Sequence, residues 1–257
     1  MRVTISAAAL LFVGLVQYSF ASTITHGVFD ISGTVFFTAP KAGAVVTPAG
    51  TCPAGTACIF WENSAGTLVD KVDISTVGLP SGDIPLAISG NAAANISNLT
   101  NPPEVVGGAG FAPTTFMTFN NGGVTTQLLL DFIDPGVFPS TDCALAPAVG
   151  QICSPPGSAV NFVNNPPRPG QASASWVLEG VTDTPGISWT GNFGSQFTTP
   201  YQTVLANLAS KGSVEETFSA TISLTGTTTT VPEPGSMGLT MIGMALIATF
   251  VGRRSAK

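Results

Sequence analysis

The chain of 257 residues carries 14 acidic and 8 basic side chains, which give a net charge of −6. Only four of the basic residues lie between Ser22 and Pro234, against all 14 acidic ones, so this section has a net charge of −10. Because phosphate repels such a section, the composition excludes nucleic-acid binding. Apolar residues make up 44% of the chain, which favours a packed core over disorder.

Residues 1–21 have the pattern of a secretory signal peptide. Arg2 precedes an apolar run over residues 7–16, and small residues lie three positions and one position before Ser22. The pattern predicts a signal helix that directs export by the Sec machinery and is cut by signal peptidase between Ala21 and Ser22. A permanent transmembrane helix is the alternative, but this apolar run is shorter than the roughly 18 residues that a span needs.

The strand patterns that follow predict one mainly β domain over residues 22–225. Residues 27–37 and 214–225 alternate apolar and polar side chains, which indicates strands with one wet face. Residues 126–133 and 174–181 are apolar on both faces, which predicts strands buried on both sides. Tracts rich in Pro and Gly separate the strands, so we expect an antiparallel β-sandwich or jelly-roll-like body.

The four cysteines lie in this domain as two local pairs. The first pair is Cys52 and Cys58 in CPAGTAC, and the second is Cys143 and Cys153 in CALAPAVGQIC. An even number of cysteines in an oxidising compartment favours disulfides, and the short separations favour the pairings 52–58 and 143–153. Zinc binding is the alternative, but neither pair has the spacing of a zinc site and the only histidine, His26, is distant in sequence.

One short helix is predicted at about residues 200–210, within FTTPYQTVLANLASKGS. Thr199 is placed to cap it, and Pro200 fits the first helical position. Lys211 adds a cation to the last turn and Gly212 follows as a stop signal.

The C-terminal end has three parts. Residues 226–234, GTTTTVPEP, read as an extended Thr/Pro stalk without core-forming side chains. Residues 235–252 are almost wholly apolar and would measure ~27 Å as a helix, just enough to cross a bilayer. Residues 253–257 are rich in basic side chains and predict a cytoplasmic tail. A buried core helix is the alternative for residues 235–252. The uniform apolarity of this segment and the basic residues that follow it favour a transmembrane helix instead.

This end resembles a PEP-CTERM sorting signal, in which a Pro-Glu-Pro triad precedes an apolar helix and a pair of arginines. The matching residues here are Pro232, Glu233, Pro234, Arg253 and Arg254. The resemblance implies recognition by an exosortase, a multi-spanning membrane protease or transpeptidase of Gram-negative bacteria that make exopolysaccharide. It also implies a body of no established activity, anchored in the membrane at first and then cut near the triad and released or transferred to the cell surface.

Few residues offer catalytic or metal-binding chemistry. His26 precedes the first predicted strand, which is a poor place for a preorganised base. Glu215 and Glu216 would point to opposite faces of a strand, so they cannot pair. Three further carboxylates lie close together in sequence and are candidates for a structural calcium site or a hydrolase: Asp131, Asp134 and Asp142. We nevertheless expect no enzymatic activity and no cofactor.

Two further groups of residues are candidate surface sites. Trp61 and Trp189 stand beside polar residues and are candidate stacking platforms for a sugar, although core packing is the favoured alternative for each. Asn95 and Asn98 begin two adjacent N-x-[ST] sequons, which mark either glycan acceptors or a plain turn-rich loop.

Together these patterns predict an exported, exosortase-processed protein of the cell surface or the extracellular matrix. We expect a non-enzymatic structural or adhesive component of a biofilm, with exopolysaccharide as its partner. A carbohydrate-binding module that uses exposed aromatic rings is the first alternative, and a secreted hydrolase that uses paired carboxylates is the second.

Overall fold

The computed structural model of this chain describes residues 26–75, 81–82, 93–108, 111–121, 124–165 and 170–226. The predicted signal peptide, the stalk beyond Gly226 and the predicted transmembrane helix lie outside these residues. Within them, no helix is both long enough and apolar enough to span a bilayer.

The described body is mainly β, as the sequence predicts, with one α-helix and a short 3-10 helix at Ser140–Ala144. Its helix α1 spans Tyr201–Lys211. Its strands, in chain order, are β1 (His26–Thr38), β2 (Val45–Thr47), β3 (Gly50–Cys52), β4 (Ala57–Glu62), β5 (Lys71–Ser75), β6 (Ser81–Gly82), β7 (Ala93–Ile96), β8 (Leu99–Asn101), β9 (Thr114–Asn121), β10 (Val124–Ile133), β11 (Ile152–Cys153), β12 (Asn161–Asn164), β13 (Ala172–Thr182), β14 (Ile187–Phe197) and β15 (Ser213–Gly226).

Eight of these strands form a closed antiparallel barrel, so the predicted sandwich or jelly roll is wrong. The order around the barrel is β1-β15-β14-β13-β10-β9-β7-β5, and β5 pairs with β1 to complete the ring. The pairing that distinguishes a barrel from a sandwich is β10 with β13, where Leu128 lies opposite Thr182 and Ile133 opposite Leu178. Two strands that would be free edges in a sandwich are thereby joined.

The barrel opens at one end because its long strands change partners along their length. Strand β1 pairs with β5 through Asp30–Ser32 but with β4 through Thr34–Phe37. Strand β13 pairs with β10 near its C-terminal end but with β12 through Ala172–Ser175. The β1–β15 and β13–β14 registers place both changes at the same end. The sheet is therefore closed at one end and splayed at the other.

The predicted one-sided burial is correct for β15 but only for the first half of β1, because residues 33–36 are buried in succession. In β15, Phe218, Ala220, Ile222 and Leu224 are buried, and the residues between them are exposed or half-buried. The predicted two-sided burial is wrong for β10 and β13, whose outward residues are exposed or half-buried. A bulge in β10 next to Phe132 reverses the alternation, so that the following Ile133 is buried and Phe132 is only half-buried.

The barrel interior is filled by aromatic rings. Phe193 of β14 lies at the centre, stacked on Trp176 at 5.4 Å and 5.7 Å from Trp61 between ring centroids. Phe116 stacks on Trp189 at 5.4 Å. Aromatic pairs at these separations add to the stability that burial of their area gives. The barrel is a packed core rather than a channel.

Helix α1 connects β14 to β15 across the splayed end. It begins at Tyr201, one residue later than predicted, and Pro200 is its N-cap without a side-chain cap. Thr199 therefore does not play the predicted capping role. The predicted stop is correct: Gly212 has φ of 92° and its N–H bonds the carbonyl oxygen of Leu208 at 2.9 Å.

Candidate functional site

The two predicted disulfides are present. Cys52 bonds Cys58 and joins β3 to β4, and Cys143 bonds Cys153 and joins the 3-10 helix to β11. Within the described residues no cysteine is free. Both bonds hold segments at the splayed end, where they limit the freedom of loops that contain few core residues.

The candidate sugar platforms do not reach the surface. Trp61 is 0% exposed and Trp189 is 1% exposed. Each indole N–H bonds a backbone carbonyl, Trp61 to Ser97 at 3.1 Å and Trp189 to Leu129 at 3.0 Å. The candidate sugar contact at these two residues is thus corrected, and the favoured alternative, packing in the core, is what the structure has.

The candidate carboxylates are distributed over different elements. Asp131 lies in β10, Asp134 follows that strand, and Asp142 lies in the 3-10 helix. Within the described residues, no three His, Cys, Asp or Glu side chains come together as a metal site would need.

The first sequon residue lies in a strand, and the second is bonded into the fold. Asn95 belongs to β7, and Asn98 lies just before β8, so they do not form the turn-rich loop that the sequence suggests. The Asn98 side chain accepts from Trp61 N at 3.3 Å and donates to Asp70 at 2.6 Å.

A pair of carboxylates that the sequence does not reveal lies on the outer face of the sheet. Glu62 of β4 is 8% exposed, and its burial, with the nearby charge of Glu215 on β15, raises the pKa of its carboxyl. Burial also raises the pKa of the Glu216 carboxyl. The backbone N–H of Thr217 bonds this carboxyl and lowers its pKa, whereas the nearby charge of Glu215 raises it. The Glu62 and Glu215 positions lie on either side of β1, opposite Thr34 and Phe36.

This pair predicts a pH-dependent stability. The folded protein holds a proton on Glu62 to higher pH than the unfolded chain does. The stabilisation that comes from this protonated carboxyl is therefore complete at acid pH, and it is lost as the pH rises through the pKa of the folded state. We therefore expect Glu62→Gln to raise the midpoint of thermal unfolding at pH 7 and to have little effect near pH 4. Asp183→Asn, at an exposed position between β13 and β14, is the control. A larger stabilisation at pH 4 than at pH 7 would contradict the assignment.

A cavity of about 520 Å³ lies at the splayed end of the barrel. The end of β1, the start of β4 and residues 99–106 line one side, and residues 155–160 with Phe162 line another. Helix α1 contributes Val204, Leu205 and Leu208, which are members of its apolar stripe. The cavity could not be predicted from the sequence, because its lining residues come from segments that are far apart in the chain.

A single buried asparagine fixes the helical wall of the cavity. Asn164 at the end of β12 is 0% exposed, and its Oδ1 accepts the N–H of Tyr201 at 3.0 Å, in the first turn of α1. Its Nδ2 donates to Ala148 O and to Gln202 Oε1, both at 3.1 Å. One side chain thus satisfies a donor at the helix start and joins helix, strand and loop.

One buried polar atom of the core has no hydrogen-bond partner. Trp176 of β13 lines the cavity and is 1% exposed, and its Nε1–H is the one buried side-chain donor left unpaired within the described residues. The indole N–H groups of Trp61 and Trp189 both have carbonyl partners. An unpaired buried donor costs about 1–3 kcal/mol, so the contrast marks an unusual position.

Comparison with known proteins identifies the C-terminal end. Residues 230–255 match the model of the PEP-CTERM protein-sorting motif. Pro232, Glu233, Pro234, Arg253 and Arg254 all lie inside the match. The chain therefore carries the signal of an exported protein that is processed by an exosortase. No curated protein and no solved structure matches the chain.

Proposed function

We propose that this protein is a non-enzymatic structural or adhesive component of the extracellular polysaccharide matrix, where it acts after an exosortase has cut the chain near Pro232–Pro234. The observation that carries the proposal is the sorting motif at residues 230–255, which follows closely on the body that ends at Gly226. Such a motif delivers its body to the outside of the cell, in hosts that make exopolysaccharide.

The surface of the body supports a partner rich in hydroxyl groups. The exposed side chains of β14 and β15 include uncharged hydrogen-bonding groups such as Asn192, Thr217, Ser219 and Thr221. The uncharged side chains at these positions suit contact with neutral polysaccharide, since they can bond hydroxyl groups without an ion to desolvate. The two disulfides suit an oxidising location outside the cytoplasm. With Trp61 and Trp189 buried, we do not propose a sugar-stacking site at these residues.

Replacement of the triad tests the processing step. In the native host, we expect the triple variant Pro232→Ala, Glu233→Ala, Pro234→Ala to accumulate as uncut protein in the membrane fraction, because an exosortase cannot recognise it. The control replaces Thr227, Thr228 and Thr229 with alanine, which changes the neighbouring stalk but leaves residues 230–255 intact. Normal cutting of the triad variant would contradict the proposed recognition.

Fractionation of the matrix tests the role of the body. We expect the processed protein to sediment with isolated exopolysaccharide and a deletion strain to form a matrix that disperses at lower shear. A processed protein that stays in the soluble fraction, together with an unchanged matrix in the deletion strain, would contradict a matrix role. It would leave the processing result intact.

A further inference from the structure

We propose that the cavity at the splayed end of the barrel binds a neutral, largely apolar small molecule. This inference goes beyond the proposed matrix role, since it assigns a ligand to a site that no polysaccharide chain would match chemically. It rests on the size of the cavity and the chemistry of its lining.

The size of the cavity is that of a small-molecule site. Its volume of about 520 Å³ lies within the roughly 300–1,000 Å³ of sites that enclose drug-sized ligands. Its walls belong to firmly held elements: β4 pairs with β1 and is bonded through Cys58 to Cys52 of β3, and α1 is held by Asn164. A preformed cavity of this kind binds without the cost of ordering its own walls.

The lining excludes charged ligands. Most of the side chains are apolar, among them Phe37, Ile59, Val160 and Leu205. Among the described residues, Glu104 is the one ionisable side chain in the lining, and its Oε2 accepts the N–H of Thr100 at 2.8 Å. No lysine or arginine lines the cavity within the described residues, so an anionic head group would meet one carboxylate and no counter-charge. A neutral molecule avoids this cost.

Two probes of similar shape test the preference for a neutral ligand. Benzophenone is neutral, and 4-benzoylbenzoate adds a negative charge to the same diaryl ketone. On irradiation, the excited carbonyl of benzophenone abstracts hydrogen from a nearby C–H group and the two carbon radicals join, so the label marks the site. We expect labelled peptides to contain residues 37–40, 155–160 or 204–208, and 4-benzoylbenzoate to label at least tenfold less. The full-length chain is used in every sample.

Two neighbouring positions on helix α1 provide matched variants. Leu205 lines the cavity, whereas Ala206 is exposed and does not. We expect Leu205→Glu to weaken benzophenone binding at least tenfold and Ala206→Glu to leave it unchanged, with thermal unfolding measured to confirm that both fold. Leu208→Glu repeats the test at a second lining position if Leu205→Glu does not fold. Labelling that is confined to the apolar tail, or that Leu205→Glu and Leu208→Glu leave unchanged, would overturn the site.

The charge of the probe tests the neutral ligand directly. Stronger labelling by 4-benzoylbenzoate than by benzophenone would overturn the assignment of a neutral ligand.

Discussion

Gly180→Ala is expected to lower the free energy of unfolding by about 4 kcal/mol, because the new methyl group would strike the backbone of the strand that closes the barrel. A Cβ atom at Gly180 of β13 would lie 1.9 Å from the carbonyl oxygen of Leu129 and 2.8 Å from Nε1 of Trp189. The first contact is with backbone and cannot be relieved by a side-chain rotation. The β10–β13 pairing, and the Trp189–Leu129 hydrogen bond across it, would have to separate.

Gly194→Ala is the matched control for this prediction. Gly194 lies in the neighbouring strand β14, and a Cβ there would meet only Ala174 O at 3.8 Å, an ordinary contact. We expect this change to be neutral or stabilising by up to about 1 kcal/mol, since alanine restricts the unfolded chain more than glycine does. Thermal unfolding measures both, with a fall of roughly 8–16 °C expected for Gly180→Ala. Equal stability of the two variants would contradict closure of the barrel at β10 and β13.

Asn164→Ala is expected to destabilise the body by about 3 kcal/mol, because it leaves several buried polar groups without partners. The N–H of Tyr201 would lose its acceptor at the start of α1, and Ala148 O and Gln202 Oε1 would each lose a donor. The helix that forms one wall of the cavity would also lose its attachment to β12. We therefore expect weaker benzophenone binding in the same variant.

Asn192→Ala provides the control at an exposed asparagine of β14. It should change the free energy of unfolding by less than about 0.5 kcal/mol, as is usual for surface positions. Unfolding in denaturant measures the free energy of unfolding of each variant. If its dependence on denaturant concentration is the same in both, the difference between the two free energies follows directly. A destabilisation by Asn164→Ala no larger than that by Asn192→Ala would contradict its role at the junction of helix, strand and loop.

Local elements could be predicted from the sequence, whereas barrel closure could not. The alternation in residues 214–225 and the Lys211-Gly212 stop describe short-range geometry, and the structure has the strand and the helix end as predicted. The same alternation occurs in sandwiches and barrels, because both have one buried face per strand. Closure depends on the pairing of β10 with β13, which neighbouring residues do not encode.

The two functional features differ in how far the sequence reveals them. The sorting motif is continuous, so its triad, apolar run and arginines are visible in order within residues 230–255. The cavity is discontinuous, and its lining combines β1, β4, β13 and α1 with loop residues. Core packing, the favoured interpretation for Trp61 and Trp189, is correct, whereas their polar neighbours in sequence say little about what covers a ring on its own side of the strand.

The most direct test of export and C-terminal processing is the intact mass of the mature protein from the envelope and medium of its native host. We predict a chain that begins at Ser22 and ends near Pro234, with or without an added surface group. A mass that extends through Lys257 would mean that the tail is a permanent anchor, and it would contradict processing by an exosortase.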